Sequence, residues 1–379
     1  MNKGSDKVSK LKVFEAFAGY GSQSIALRNI GVDYEVIAIS EIDKYAIQAY
    51  EAIHGKVNNL GDISKIDVSD VPEHDLFTYS FPCQDLSVAG KQKGLGKGTR
   101  SGLLYECEKI IEHCRPKYLL LENVKNLVSK KFKPQFYEWL RYLKSLGYTN
   151  YTQVLNAKDY GIPQNRERVF VVSIYGEHKP YKFPTPMHLT TRISDILEDS
   201  IDPKYYINKP FHLVSKVHQA ELDIKDYNKN KRIYSPNGVE PTVIATLGGV
   251  PKILIPQAIC YGEKAPLKLP CIAASRGRNP ENPSSRVAGE HTEQRLEFNT
   301  EGISNTITTV QKDNYLLEPQ YKIRKLTPRE CFRLMGMNDN DIDKIQQSGI
   351  SNSQQYKLAG NSIVVNVLEG IFKNLFEVE

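Results

Sequence analysis

The chain has 379 residues, 40% apolar and 25% charged, the balance of a folded protein with a sizeable core rather than a disordered or disulfide-stapled one. Its 50 Lys and Arg against 44 Asp and Glu leave a formal charge of +6, which permits an acidic partner such as nucleic acid without demanding one. The Lys-rich start has no apolar signal core, no run approaches the ~18 apolar residues of a membrane span, and the 6 cysteines form no Cys-x-x-Cys pair, so a cytoplasmic chain with reduced thiols, no membrane contact and no metal site is expected.

Short apolar runs at residues 11–18, 34–40, 76–81, 117–121, 148–155 and 168–174 read as strands, with amphipathic helical stretches at 22–29, 44–53, 103–114 and 133–146 among them. In the last stretch Phe136, Trp139, Leu140 and Leu143 recur at helical spacing and predict a face packed on a sheet. Strands alternating with helices predict an α/β unit whose mostly parallel sheet is covered on both faces. Beyond Tyr175 the texture turns to short strand-like runs rich in Pro, Gly and Asn, where residues 238–246 resemble residues 302–310 as a turn followed by a Thr-rich strand. Helical patterning returns at 327–335, opened by Thr327-Pro328-Arg329-Glu330 as a capping box with Pro in the first turn, and again at 364–376.

Open α/β sheets bind ligands outside the carboxyl ends of their strands, so the residues after each apolar run carry the functional reading. The first run ends in Phe17-Ala18-Gly19-Tyr20-Gly21-Ser22, a glycine turn with Ser24 where a dinucleotide fingerprint has its third glycine, and with no Lys-Ser/Thr to meet phosphates. Alone it is as well read as a plain tight turn. Glu41, 22 residues after Gly19 at the end of the next run, changes the odds, because a carboxylate there can accept both hydroxyls of a ribose. A nucleoside site without phosphate machinery suits S-adenosylmethionine better than NAD or ATP.

Cys83 is held between Pro82 and Gln84 after the third run. A lone cysteine is usually a small core residue, but this one opens residues 90–102, a cationic loop of 5 glycines with Lys91, Lys93, Lys97 and Arg100 and no acid. Glu122 follows a fully apolar run, and its partial burial should raise its pKa so that it can share a proton with a ring nitrogen. Arg166 and Arg168, two apart in an extended segment, can aim both guanidinium groups into one pocket.

Together these residues resemble the C5-cytosine DNA methyltransferase family. The run 17–22 is similar to its first cofactor motif, Phe81-Pro82-Cys83-Gln84 to its Pro-Cys motif and Glu122-Asn123-Val124 to its Glu-Asn-Val motif. Gln164-Asn165-Arg166-Glu167-Arg168 is similar to its Gln-x-Arg-x-Arg motif, and residues 324–330 and 359–364 to its last two, in order from about residue 11 to 375. Two positions depart from it: Glu15-Ala16 stands where the family has Asp-Leu, and Ile42 where it often has Trp.

The resemblance implies a Rossmann-like S-adenosylmethionine-dependent methyltransferase fold with a mixed seven-stranded sheet and a smaller, mostly β or irregular target-recognition domain. It divides the chain into a catalytic and cofactor unit at 1–180, a recognition domain at 181–325 and a hinge with C-terminal helix at 326–379. Phe17, Ala18, Gly19, Gly21, Ser22, Glu41, Ile42, Asp62, Ile63, Pro82, Asn361 and Ser362 are expected to hold S-adenosylmethionine. Cys83, Glu122, Arg166 and Arg168 are the expected catalytic set. Gln84, Ser87, Lys91, Lys93, Lys97 and Arg100, with Arg276 and Arg278 as candidate base readers, are expected to meet double-stranded DNA. The implied protein acts as a monomer on a flipped cytosine, alongside or without a separately acting cognate restriction endonuclease.

Three alternatives are weaker. A tRNA cytosine-5 methyltransferase of the same fold is expected to carry Cys-Phe-Thr, whereas this chain has Cys331-Phe332-Arg333; an amino-methyltransferase needs an (Asp/Asn)-Pro-Pro-(Tyr/Phe) motif that is absent; a catalytically idle DNA-binding protein has no use for the full catalytic set. The charge is uneven: 190–320 holds 16 basic and 16 acidic residues, while 90–102, 125–150 and 320–333 are each strongly basic, so phosphate affinity is expected in those three segments.

Overall fold

A computed structural model describes residues 10–82, 100–191, 193–196, 198–207, 211–214, 219–222, 271–282, 284, 285, 287, 289–298, 304–305, 314–317 and 323–378. The first layer is built from β1 (Leu11–Ala16), β2 (Tyr34–Ser40), β3 (Leu76–Tyr79), β4 (Tyr118–Val124), β5 (Tyr148–Asn156), the short β6 (Gln164–Asn165) and β7 (Glu167–Tyr175). Six of these form one sheet in the order β2-β1-β3-β4-β7-β5, with β7 antiparallel to both neighbours and the other pairs parallel. Among the described residues the sheet has six strands rather than the implied seven. An isolated parallel bridge from Ile39 to Asn59 extends its β2 edge by a single residue pair.

Helices α1 (Ser22–Asn29), α2 (Lys44–His54), α3 (Leu104–Cys114) and α4 (Lys133–Ser145) follow four of the strands. The near-continuous apolar runs are explained by burial on both faces. In β4, Leu120 packs with the α1 side while Leu119 and Leu121 pack with α3 and α4; in β7, Phe170 and Val172 alternate with Val169 and Val171 in the same way. Four more helices, α5 (Pro328–Arg333), α6 (Asp339–Gln347), α7 (Asn352–Asn361) and α8 (Val365–Phe376), return to the α1 face and complete that core. The capping box read at Thr327 and Glu330 is present at the start of α5.

Strands β8 (Tyr206–Ile207), β9 (Phe211–Val214), β10 (Gln219–Leu222), β11 (Cys271–Arg278), β12 (Glu293–Phe298), β14 (Asn314–Leu317) and β15 (Ile323–Lys325) form a second, antiparallel sheet, whereas β13 (Ser304–Asn305) pairs with β6. Tyr181 and Ile196 still pack in the first core, so the chain stays with that layer past residue 180. Residues 238–246 lie outside the described residues; of the similar stretch 302–310, only Ser304 and Asn305 are described, and they lie against β6.

Two cations of the basic segment 320–333 are paired in the fold. Arg329 pairs with Glu198 at 3.4 Å, with Asp339 at 3.6 Å and with Asp343, and Arg333 pairs with Asp339 at 2.6 Å. These acids lie outside the segment 320–333, and the fold brings them in to neutralise both arginines. By contrast, all six Lys and Arg of 125–150 are exposed, although Lys125 pairs with Glu167 at 2.8 Å.

Candidate active site

A cavity of about 750 Å³ opens at the carboxyl ends of β1 to β4, spanning the point between β1 and β3 where the strand order reverses. Each strand delivers its following residues to it: Phe17, Ala18, Gly19 and Ser22 after β1, Ser40 to Asp43 at the end of β2, and Ser80 to Pro82 after β3. The end of β4 brings Glu122, Asn123 and Val124, and antiparallel β7, which starts at this edge, brings Arg168 beside Arg166. Leu358 and residues 360–363 enter from the end of α7. Of the expected cofactor residues only Gly21 does not line the cavity.

Gly21 has a different task. It starts α1 at φ +81°, and a Cβ there would fall 2.6 Å from His54 Nε2 and 2.7 Å from the Tyr50 ring. Only glycine satisfies both the left-handed backbone and that close approach. Phe17 also adopts positive φ, 56°, an uncommon conformation for a bulky residue, and its N–H donates to Ser40 O at 2.7 Å. The chain is thereby bent sharply off β1 into the turn.

Glu41 organises this turn. Its Oε1 accepts from the N–H groups of Ile42 and Asp43, both at 2.8 Å, and its Oε2 accepts from Gly19 N–H at 2.9 Å. A carboxylate offers about four lone-pair sites, so acceptor capacity is left on Oε2. Asn59, which sequence reasoning missed, fixes the Glu41 backbone through both its N–H and its carbonyl at 3.1 and 3.0 Å. Asp62 caps a short 3-10 turn through Ser64, and Ile42 is 72% exposed, the most exposed large apolar side chain among the described residues.

Beneath the turn, Glu15 of β1 is fully buried and accepts from the Ser24 hydroxyl at 2.8 Å. Burial pushes its pKa up to about 7 against that hydrogen bond. Because this lies above the ordinary 4.5, the stabilising contribution of the neutral acid is complete below about pH 4.5 and lost as pH rises through about 7. Glu15→Gln stays neutral throughout. Urea unfolding is expected to show its stability relative to the wild type improving by about 2 kcal/mol between pH 5.5 and 8.5. A difference constant with pH would contradict a proton-holding Glu15.

A second buried carboxyl lines the cavity itself. Glu122 was expected just past the end of a strand, but β4 continues through Val124 because β7 pairs with it there, placing Glu122 opposite Phe170. It is 8% exposed, and Arg168 Nε lies 3.1 Å from its Oε1. Burial raises its pKa, while the charges of Arg168 and Arg166 and a hydrogen bond to Ser80 pull it down. Asn123 donates to Phe81 O at 3.0 Å, pinning the backbone that leads through Pro82 to Cys83. Ser80 and the Asp43–Lys357 ion pair at 2.6 Å escaped sequence reasoning, and Asn123 was legible only as the middle of the Glu-Asn-Val triplet, without its anchoring role.

Cys83, Gln84, Ser87, Lys91, Lys93 and Lys97 lie outside the described residues, as does the side chain of Arg100, whose backbone begins a 3-10 turn. Arg276 and Arg278 sit two apart on β11, in register with Arg295 and Glu293 of β12, on the second sheet and not at the cavity.

Residues 11–377 match the family described as C-5 cytosine-specific DNA methylase. The type II methyltransferase M2.ScrFI of Lactococcus lactis subsp. cremoris is 36% identical over 422 aligned positions, which cover 97% of this chain and 99% of that protein. The orphan methyltransferase M.SPBetaI of Bacillus phage SPbeta is 34% identical, with 97% and 98% covered. Among solved structures, the S. pombe Dnmt2 methyltransferase superposes with a TM-score of 0.61 at 19% identity over 97% of this chain and 99% of that one, a likeness of fold.

Proposed function

The chain belongs to the C-5 cytosine-specific DNA methylase family, and on that premise we propose that it methylates C5 of a flipped cytosine in a specific duplex DNA sequence, using S-adenosylmethionine. The observation that carries this reading is the buried Glu122 carboxyl paired with half-buried Arg168, facing a nucleoside-sized cavity on the strand edge where Pro82 leads into Cys83.

The cavity suits S-adenosylmethionine. Among the described residues its cations are engaged, Lys357 with Asp43, Arg168 with Glu122 and Arg166 with backbone carbonyls, so none of these three is presented as part of a phosphate cradle. The remaining acceptor capacity of Glu41 suits a ribose hydroxyl, and exposed Ile42, with Phe17 and Ile63, offers apolar surface to an adenine. The α1 N-terminus has no side-chain cap and no acid in its first turn, which favours a carboxylate. When bound, the cofactor supplies an electrophilic methyl group on sulfur.

A stacked cytosine hides C6, so the target base is flipped into the site. Cys83 adds as thiolate to C6, and the ring electrons displaced toward C5 make that carbon nucleophilic. Glu122 holds N3 and the exocyclic amine, and its raised pKa lets it share a proton with N3 as the ring gains charge. Arg168, fixed by Glu122, is placed to donate to O2. Once C5 is methylated, loss of its proton to a base lets the Cys83 thiolate leave and restores the ring.

Transfer of labelled methyl to DNA, recovered as 5-methyldeoxycytidine, is the test; label in tRNA, in N4-methylcytosine or in N6-methyladenine would reject the reading. Phosphate contact is assigned to the exposed basic run that leaves the cavity rim after Val124. Replacing Lys130, Lys131 and Lys133 by Gln should lower the slope of log affinity against log salt by about 2 to 3. An unchanged slope would place the duplex elsewhere.

A further inference from the structure

The Gln164-to-Arg168 segment divides three of its side chains between two targets. Gln164, fully buried on β6, donates from Nε2 to Leu334 O at 2.7 Å. Arg166, 3% exposed, donates from Nη2 to Gly360 O at 3.0 Å and Ser362 O at 2.6 Å. Arg168 instead reaches Glu122. Two side chains of one short segment thus staple the returning C-terminal region to the sheet, and the third serves the catalytic carboxyl.

The Arg166 contact has a specific physical purpose. The last carbonyls of a helix have no partner within it, and Gly360 is the penultimate residue of α7, with Ser362 just beyond. A guanidinium at this C-terminus satisfies two of these carbonyls and complements the negative end of the helix dipole. The donor is itself held: Arg166 N–H donates to Asn156 Oδ1 at 3.0 Å, and Ala157 N–H donates to Arg166 O at 3.1 Å. Residues 360–363 line the cavity, so the shape of that wall depends on this tether.

We propose that Arg166 is a positioning residue for the cofactor, holding the 360–362 turn that walls its site, while Arg168 serves Glu122 and the cytosine. This rests on the reading of the cavity as an S-adenosylmethionine site. Lysine keeps the charge at position 166 but not the planar fork, and methionine removes both. Losing charge-assisted hydrogen bonds to two carbonyls should loosen the wall and weaken ligand binding roughly 10- to 100-fold.

The test is calorimetric binding of S-adenosylhomocysteine to the full chain without DNA, for wild type, Arg166→Lys, Arg166→Met and Arg168→Lys. Affinity is expected to fall most in Arg166→Met, less in Arg166→Lys, and by under about twofold in Arg168→Lys. In turnover, Arg166→Lys should raise the KM for S-adenosylmethionine with kcat largely kept, whereas Arg168→Lys should lower kcat. Should Arg166→Met fail to fold, Arg166→Lys decides alone. Wild-type affinity in Arg166→Lys, or an equal loss in Arg168→Lys, overturns the proposal. Absence of binding by the wild type overturns the cofactor reading itself, and the proposal with it.

Discussion

Replacing Cys83 with serine should abolish methyl transfer, by at least about 10⁴-fold, the scale on which covalent enzymes lose rate with their nucleophile. A serine hydroxyl stays protonated at neutral pH, whereas a thiol with a pKa near 8.5 furnishes thiolate readily. The sharper readout is covalent. Duplex DNA carrying 5-fluorocytosine at the target position cannot lose fluorine as it would lose a proton, so the wild-type protein should remain attached through sulfur after methylation. Denaturing gels should show that complex with S-adenosylmethionine present, and none with Cys83→Ser. Binding of S-adenosylhomocysteine should persist in the variant, which separates loss of the nucleophile from loss of the fold. A complex that survives in Cys83→Ser would move the nucleophile elsewhere.

The second large effect belongs to Glu122. Changing it to glutamine should lower kcat about 10²- to 10⁴-fold, the usual range for a positioned proton donor. An amide still donates hydrogen bonds but cannot pass a proton to N3 as C6 is attacked. Burial raises the Glu122 pKa, and Arg168 and Arg166 oppose that rise. The wild type should therefore lose rate as pH rises through the Glu122 pKa, while Glu122→Gln lacks that decline. Rates from pH 5.5 to 9 check both points. A variant within threefold of wild type, or one that keeps the high-pH decline, would remove Glu122 from proton transfer.

Much of this was legible in the sequence because the informative features are local. The apolar runs anticipate β1 to β5 and β7 to within a few residues, and α1 lies on residues 22–29 as expected, since burial on both sheet faces imposes continuous apolar stretches. The glycine turn, Glu41 and the Glu-Asn-Val triplet lie at strand ends, where an α/β sheet must place its site. Less legible was where β4 ends, because an acid inside a strand reads as its terminus unless a distant arginine makes burial tolerable.

Partners far apart in sequence were out of reach. The bonds from Gln164 to Leu334 and from Arg166 to Gly360 and Ser362 close loops of 170 to 196 residues, and Lys357 lies 314 residues from Asp43. No local pattern announces them. The same limit bears on the charge reading of 320–333: Arg329 and Arg333 count as free cations in a window, yet Glu198, Asp339 and Asp343 reach them in the fold. Among the described residues, charge counted along the chain became useful only once exposure was known, which singled out the lysines after Val124.

Bisulfite sequencing of DNA from a host expressing the chain reads out cytosine C5 methylation within a fixed duplex sequence. Cytosines protected from conversion are expected at one position of one short recurring sequence, with protection lost in a host expressing Cys83→Ser. Uniform conversion in both hosts would contradict that methylation.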